Sequence, residues 1–269
     1  MYELEAMLLQ PVVKVALTRV RGSAPREEGA FMLVTARGLF GTIGGGQLEY
    51  MAIDEARSLL ASDDLARAMD VPLGPEIGQC CGGRVELALT VMSEADKRAL
   101  AKAERDRLAA QPEVFVYGAG HVGRALALAF LALPVRLRLV DNRPEEIVHA
   151  PAGVEGRLTV LPEAELRGAS KGAAHIIVTH EHALDFILAK EALERGDAAY
   201  VGMIGSLSKR KQFESWAETA TDLLVCPMAA NNKGDRRPEV IAAFVVAEVM
   251  QALGAYYAPV KAGTVKEEQ

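Results

Sequence analysis

The residues best suited to chemistry lie in a few short segments. In "VFVYGAGHVGRAL", Gly118, Gly120 and Gly123 make G-x-G-x-x-G with His121 inside it, and Asp141 ends the next apolar run. That acidic residue sits about 20 residues on, the spacing of a ribose-hydroxyl acceptor. Gly118 permits the turn, Gly120 leaves room for a pyrophosphate, and Gly123 allows close helix–strand packing. The helix start offers free N–H groups to phosphate. Arg143 keeps a 2′-phosphate open as an alternative. A second anion cradle is expected at "TIGGGQLE", where Gly44, Gly45 and Gly46 precede a helix without side chains in the way. Nearby, "GSAPRE" carries Ser23 and Arg26, and an arginine can grip phosphate or carboxylate with two parallel bonds.

Three further segments are less specific. "QCCGG" places Gln79, Cys80 and Cys81 on a glycine-flanked loop. Adjacent cysteines lack redox or zinc-knuckle spacing, so a free loop thiol suited to soft-metal ligation or sulfur carriage is expected, with burial as the alternative. "VTHEHALD" brings His180, His182 and Asp185 to a strand end, where polar contact with a ligand is favoured over metal for want of further ligands at motif spacing. "IGSLSKRK" places Ser206 as a helix cap. Lys209 and Arg210 follow in the first turn, unfavourable against the helix dipole unless an anion is present.

The elements that must position these residues fall into two patterns. Residues 1–92 read as a small α+β domain, with strands at "VVKVALTRV", "AFMLVT", "LFGTI" and "RVELALTVM" and a helix over "QLEYMAIDEARSLLA". Residues 93–111, charged and free of Gly and Pro, read as a linking helix that Ser93 and Asp96 cap. From 112 to 269, strands alternate with helices. The fold class is therefore α/β, a C-terminal Rossmann-like domain with a parallel sheet plus the smaller N-terminal α+β domain.

Composition narrows the partners. With half its residues apolar and a quarter charged, the chain can bury a core. A net charge of −6 gives no basic footprint for nucleic acid. No apolar run is expected to cross a bilayer, and the acidic start argues against a signal peptide. Three cysteines, two adjacent, exclude a disulfide framework and fit a reducing cytoplasm.

The segments "GSAPRE", "GTIGGGQLE", "QCCGGRVEL", "VYGAGHVGRAL", "VDNRPE", "THEHALD", "YVGMIGSLSKR" and "GDRRPEVIAAFVVAEV" stand in this order. Together they resemble the xanthine dehydrogenase accessory proteins, the XdhC/CoxI family, over roughly residues 10 to 253. The resemblance implies a chaperone that binds molybdenum cofactor (molybdopterin), presents it to a cysteine desulfurase for exchange of an oxo ligand for sulfido, and helps insert it into a xanthine dehydrogenase-type apoenzyme of purine catabolism. Glycine N–H groups and Arg26 would meet its phosphate, and Cys81 its molybdenum. Cys81 matches the family's Cys-Gly-Gly; Cys80 is an extra neighbour. Met228-Ala229 departs from the Ile-Gly of many members and puts the ligand contact of that loop in question. The alternative is an NAD(P)-dependent oxidoreductase with His180 or His182 as acid–base. Whether the Rossmann site holds NAD(P), another nucleotide or part of the molybdenum cofactor stays open, as does a homo-oligomer.

Overall fold

A computed structural model describes residues 2–75, 82–232 and 234–258. The chain forms two compact units, Met1–Asp106 and Arg107–Gln269.

Unit 1 is built on an antiparallel sheet of β1 (Val13–Arg21), β2 (Phe31–Val34), β3 (Leu39–Gly41), β4 (Ala66–Pro72) and β5 (Arg84–Val91), ordered β3-β2-β1-β5-β4. Alternation decides its faces. Val13, Val15 and Leu17 of β1 and Val85, Leu87 and Leu89 of β5 bury on one face. There they meet Leu48, Ala52, Ala56 and Leu59, one stripe of helix α2 (Gly46–Leu60). Leu48 and Leu59 are fully buried, each contributing about 2 kcal/mol by loss of water contact. The opposite face packs Leu33 against Leu4 and Met7 of α1 (Tyr2–Leu8) and Leu100 of α3 (Glu94–Ala109). Ser93 and Asp96 exchange hydrogen bonds at the start of α3, a closed capping pair. The sequence pattern misses α1 and β4. Every second residue of β4 is exposed, so its apolar signal is thin.

Unit 2 holds a parallel sheet of β6 (Glu113–Tyr117), β7 (Arg136–Asp141), β8 (Glu155–Leu158), β9 (Ala174–Ile177), β10 (Tyr200–Met203) and β11 (Leu224–Val225). Read from β8, the order is β8-β7-β6-β9-β10-β11, the doubly wound 3-2-1-4-5-6 arrangement. One face is covered by α4 (His121–Phe130) and α9 (Pro238–Tyr257). The other is covered by α6 (Pro162–Arg167), α7 (His182–Arg195) and α8 (Leu207–Ala217), while the short α5 (Pro144–Ile147) follows β7. β6 and β9 are buried along their whole length, which is why they read as continuous apolar runs. The sequence pattern misses β8, all four of whose residues are exposed.

One expectation about apolar runs is corrected. Helix α9 has 20 residues and is long and apolar enough by length and composition to cross a membrane. Its single stripe of Ala242, Val245, Val249 and Leu253 is buried against the sheet.

Candidate functional site

At one end of the unit 1 sheet, three glycine-bearing segments converge. They are the β1–β2 loop with Ser23 and Arg26, the Gly44–Gly46 turn before α2, and Gly82–Gly83, which enter β5 directly after Cys81 in sequence. The packing is tight. A Cβ on Gly44 would lie 2.9 Å from Cβ of Pro25, and one on Gly83 would lie 2.1 Å from the Ser23 carbonyl oxygen. Ser23 and Arg26 are exposed on this loop. Gln79, Cys80 and Cys81 lie outside the described residues. The third cysteine, Cys226, is buried in unit 2, and burial raises its thiol pKa, so it is a poor nucleophile.

The cradle expected at the triple glycine is filled from within. The Glu49 carboxylate accepts hydrogen bonds from the Ile43 N–H at 2.9 Å, the Gly44 N–H at 3.3 Å and the Thr42 hydroxyl. Burial raises the Glu49 pKa, but these bonds outweigh it and hold the group below the usual carboxylate range. A ligand anion at these N–H groups would have to displace Glu49. All three glycines have positive φ, 134° at Gly44, 84° at Gly45 and 66° at Gly46, which by itself explains the glycine run. Around Gly45 the space where a side chain would stand is open.

In unit 2 the three fingerprint glycines separate by cause. Gly118 has φ of 114°, and a Cβ there would lie 2.4 Å from the Val178 carbonyl oxygen. A Cβ on Gly123 would lie 1.7 Å from the Gly118 carbonyl oxygen, so helix and turn touch backbone to backbone. Gly120 has an ordinary φ of −65° and open space around it. Neither packing nor a positive φ demands glycine at Gly120, which stands as the N-cap of α4. His121 follows it, exposed.

Asp141 is not free to hold a ribose. One oxygen accepts the Ala119 N–H at 2.6 Å and Arg143 Nη2 at 2.9 Å; the other accepts the Arg143 N–H and Nε at 2.9 and 3.0 Å. Burial raises its pKa, yet these bonds lower it overall. Arg143 is thereby engaged as well, which removes the reason to reserve it for a 2′-phosphate.

The other expected residues part company. His180 lines a small cavity with Gly118 and Asp141, whereas His182 lines a groove between α7 and α8 beside Phe186 and Trp216. Among the described residues no three His, Cys, Asp or Glu side chains gather as metal ligands. Ser206 caps α8 by accepting the Lys209 N–H at 3.3 Å. Lys209 itself needs no ligand anion: it is buried against Asp185, and it donates to the Ile204 carbonyl at 2.9 Å. Asp185 also accepts the Thr179 hydroxyl at 2.6 Å, so one buried network joins the loops after β9 and β10. Neither this network nor Glu49 stands out in sequence, because each joins residues that no motif links.

Comparison with known proteins bears on the whole chain. A solved structure described as a xanthine dehydrogenase from Bacillus halodurans shares the fold, with a TM-score of 0.77 at 18% identity over 95% of this chain and 96% of that one. The uncharacterized protein YqeB of Escherichia coli K12 is 27% identical over 263 residues, 90% of this chain. The chain spans 43% of that relative's length. Residues 114–249 match the XdhC Rossmann domain, and residues 9–68 match the XdhC and CoxI family. The first match covers half of the chain, and with the glycine turns of both units in place, the chain belongs to the XdhC/CoxI family.

Proposed function

We propose that the protein is a maturation factor for a xanthine dehydrogenase-type enzyme, acting in the cytoplasm. It takes molybdenum cofactor as cargo, holds it for sulfuration with sulfur from a cysteine desulfurase, and passes it to the apoenzyme. The observation that carries this reading is the convergence of three glycine-bearing segments, one of which follows Cys80 and Cys81 directly in sequence, in a chain of this family. Within unit 2, open backbone at Gly120 suits a phosphate-bearing cargo; within unit 1, Ser23 and Arg26 are exposed and available to an anion. Cys81, with Cys80 beside it, is the soft ligand for molybdenum. The oxidoreductase alternative is weakened by the saturation of Asp141 and by the different cavities of His180 and His182.

The test is cofactor retention. Full-length wild type, Cys80→Ala and Cys81→Ala are incubated with molybdenum cofactor, desalted and assayed for bound molybdopterin and for activation of a xanthine dehydrogenase apoenzyme. Wild type should bind and activate, and Cys81→Ala should lose activation. Equal binding and activation by all three would remove the cysteines from the account.

A further inference from the structure

The crevice at the carboxyl ends of the unit 2 strands has two unequal halves. On the β6–β7 side, Tyr117, Gly118, Asp141 and His180 line a cavity of about 10 Å³. That is room for about one water molecule. On the β10–β11 side lies a cavity of about 450 Å³. That volume falls within the range of about 300–1,000 Å³ typical of small-molecule sites.

The larger cavity is a built site. Ile204, Met228 and Ile241 supply apolar lining. Its floor is fixed from behind: Glu248 accepts the Ala229 N–H at 3.0 Å and the Tyr200 hydroxyl at 3.2 Å. Gly202 makes this possible, since a Cβ there would lie 2.5 Å from Met228 Sδ. At the rim stand Ser206, the cap of α8, and Arg236. The two neighbouring arginines differ. Arg237 pairs with Asp235 at 2.6 Å, whereas Arg236 pairs with no described carboxylate. An apolar floor with one uncommitted guanidinium at its edge suits a flat ring that carries a single phosphate.

We propose that this second half-crevice binds a phosphorylated ring compound of mononucleotide size, and that a dinucleotide spanning both halves is not accommodated. The proposal deepens the cargo reading and rests on it for the choice of ring, not for the existence of the site. Guanine shares the 2-amino-4-oxo edge of a pterin, so GMP is the probe. In calorimetric titration of the full chain, GMP should bind, guanosine should bind at least about tenfold more weakly, and NAD should bind no tighter than GMP. Arg236→Ala should weaken GMP about tenfold, and Arg105→Ala, an exposed position on α3 of unit 1, should leave it unchanged. No binding of GMP at about 1 mM, or a loss in Arg105→Ala without one in Arg236→Ala, would overturn the proposal. A parallel arm with molybdopterin separates the two readings. Arg236-dependent GMP binding with no molybdopterin bound supports the site and defeats the cargo reading. Molybdopterin bound equally by wild type and Arg236→Ala, without GMP binding, defeats the site and leaves the cargo reading standing.

Discussion

The two glycine turns look alike on paper and differ in what occupies them. In unit 1 three consecutive glycines bend the chain, and the N–H groups of Ile43, Gly44 and Gly45 are taken by the chain's own Glu49. In unit 2 two of three spaced glycines are required by backbone contact, and Gly120 stands open at a helix start. The number of glycines is therefore a poor guide to a ligand site. A glycine with neither a steric nor a conformational reason is a better one.

The largest expected effect separates glycines within unit 2. Gly123→Ala drives a Cβ into the Gly118 carbonyl and should cost more than about 4 kcal/mol, while Gly120→Ala should cost about 1 kcal/mol or less. The chain's single tryptophan, Trp216, lies in α8, so its fluorescence in urea reports unit 2. Similar losses in both variants would erase the distinction. Next in size is the buried network. Asp185→Ala strands the Lys209 ammonium in the interior and should cost unit 2 about 3–5 kcal/mol by the same readout.

Acid should divide the two units as well. All five histidines lie in unit 2, and His175 is buried with its ring stacked on Phe115 and Tyr117. Burial lowers its pKa from 6.5 to about 4. The folded state thus favours the neutral ring, and the unfolded chain binds the extra proton. Stability from this group is full above about pH 6.5 and falls as pH drops toward 4, by about 3 kcal/mol in all. Trp216 unfolding curves at pH 7.5 and 5 measure it, and His175→Gln should flatten the difference. The smallest effect belongs to unit 1. Glu49→Gln should cost about 1–2 kcal/mol and speed amide exchange at Ile43 and Gly44. The depressed Glu49 pKa means its contribution is present above the unfolded value and is lost as pH falls through the lower folded one.

Much of this architecture is legible in the sequence, because burial writes itself into periodicity. The stripe Leu48, Ala52, Ala56 and Leu59 and the alternation of β5 predict the faces that pack together. The short, exposed β8 leaves no apolar trace. The site is less legible than the fold. Motifs place Gly118, Asp141 and Ser206 at the right strand ends, but hydrogen-bond saturation is a property of three-dimensional neighbours. Asp141 reads as a ribose acceptor until Ala119 and Arg143 are seen around it. Lys209 reads as an anion contact until Asp185 is seen beneath it. Arg236 lies in the segment "GDRRPEVIAAFVVAEV", but nothing there sets it apart from Arg237; what marks it is the absence of a described carboxylate partner.

The most direct test of the central claim is the molybdopterin content of the full-length wild-type protein after incubation with molybdenum cofactor and gel filtration, read by fluorescence of the oxidised pterin. The account predicts retention approaching one equivalent per chain; passage of all the pterin into the small-molecule fractions would contradict it.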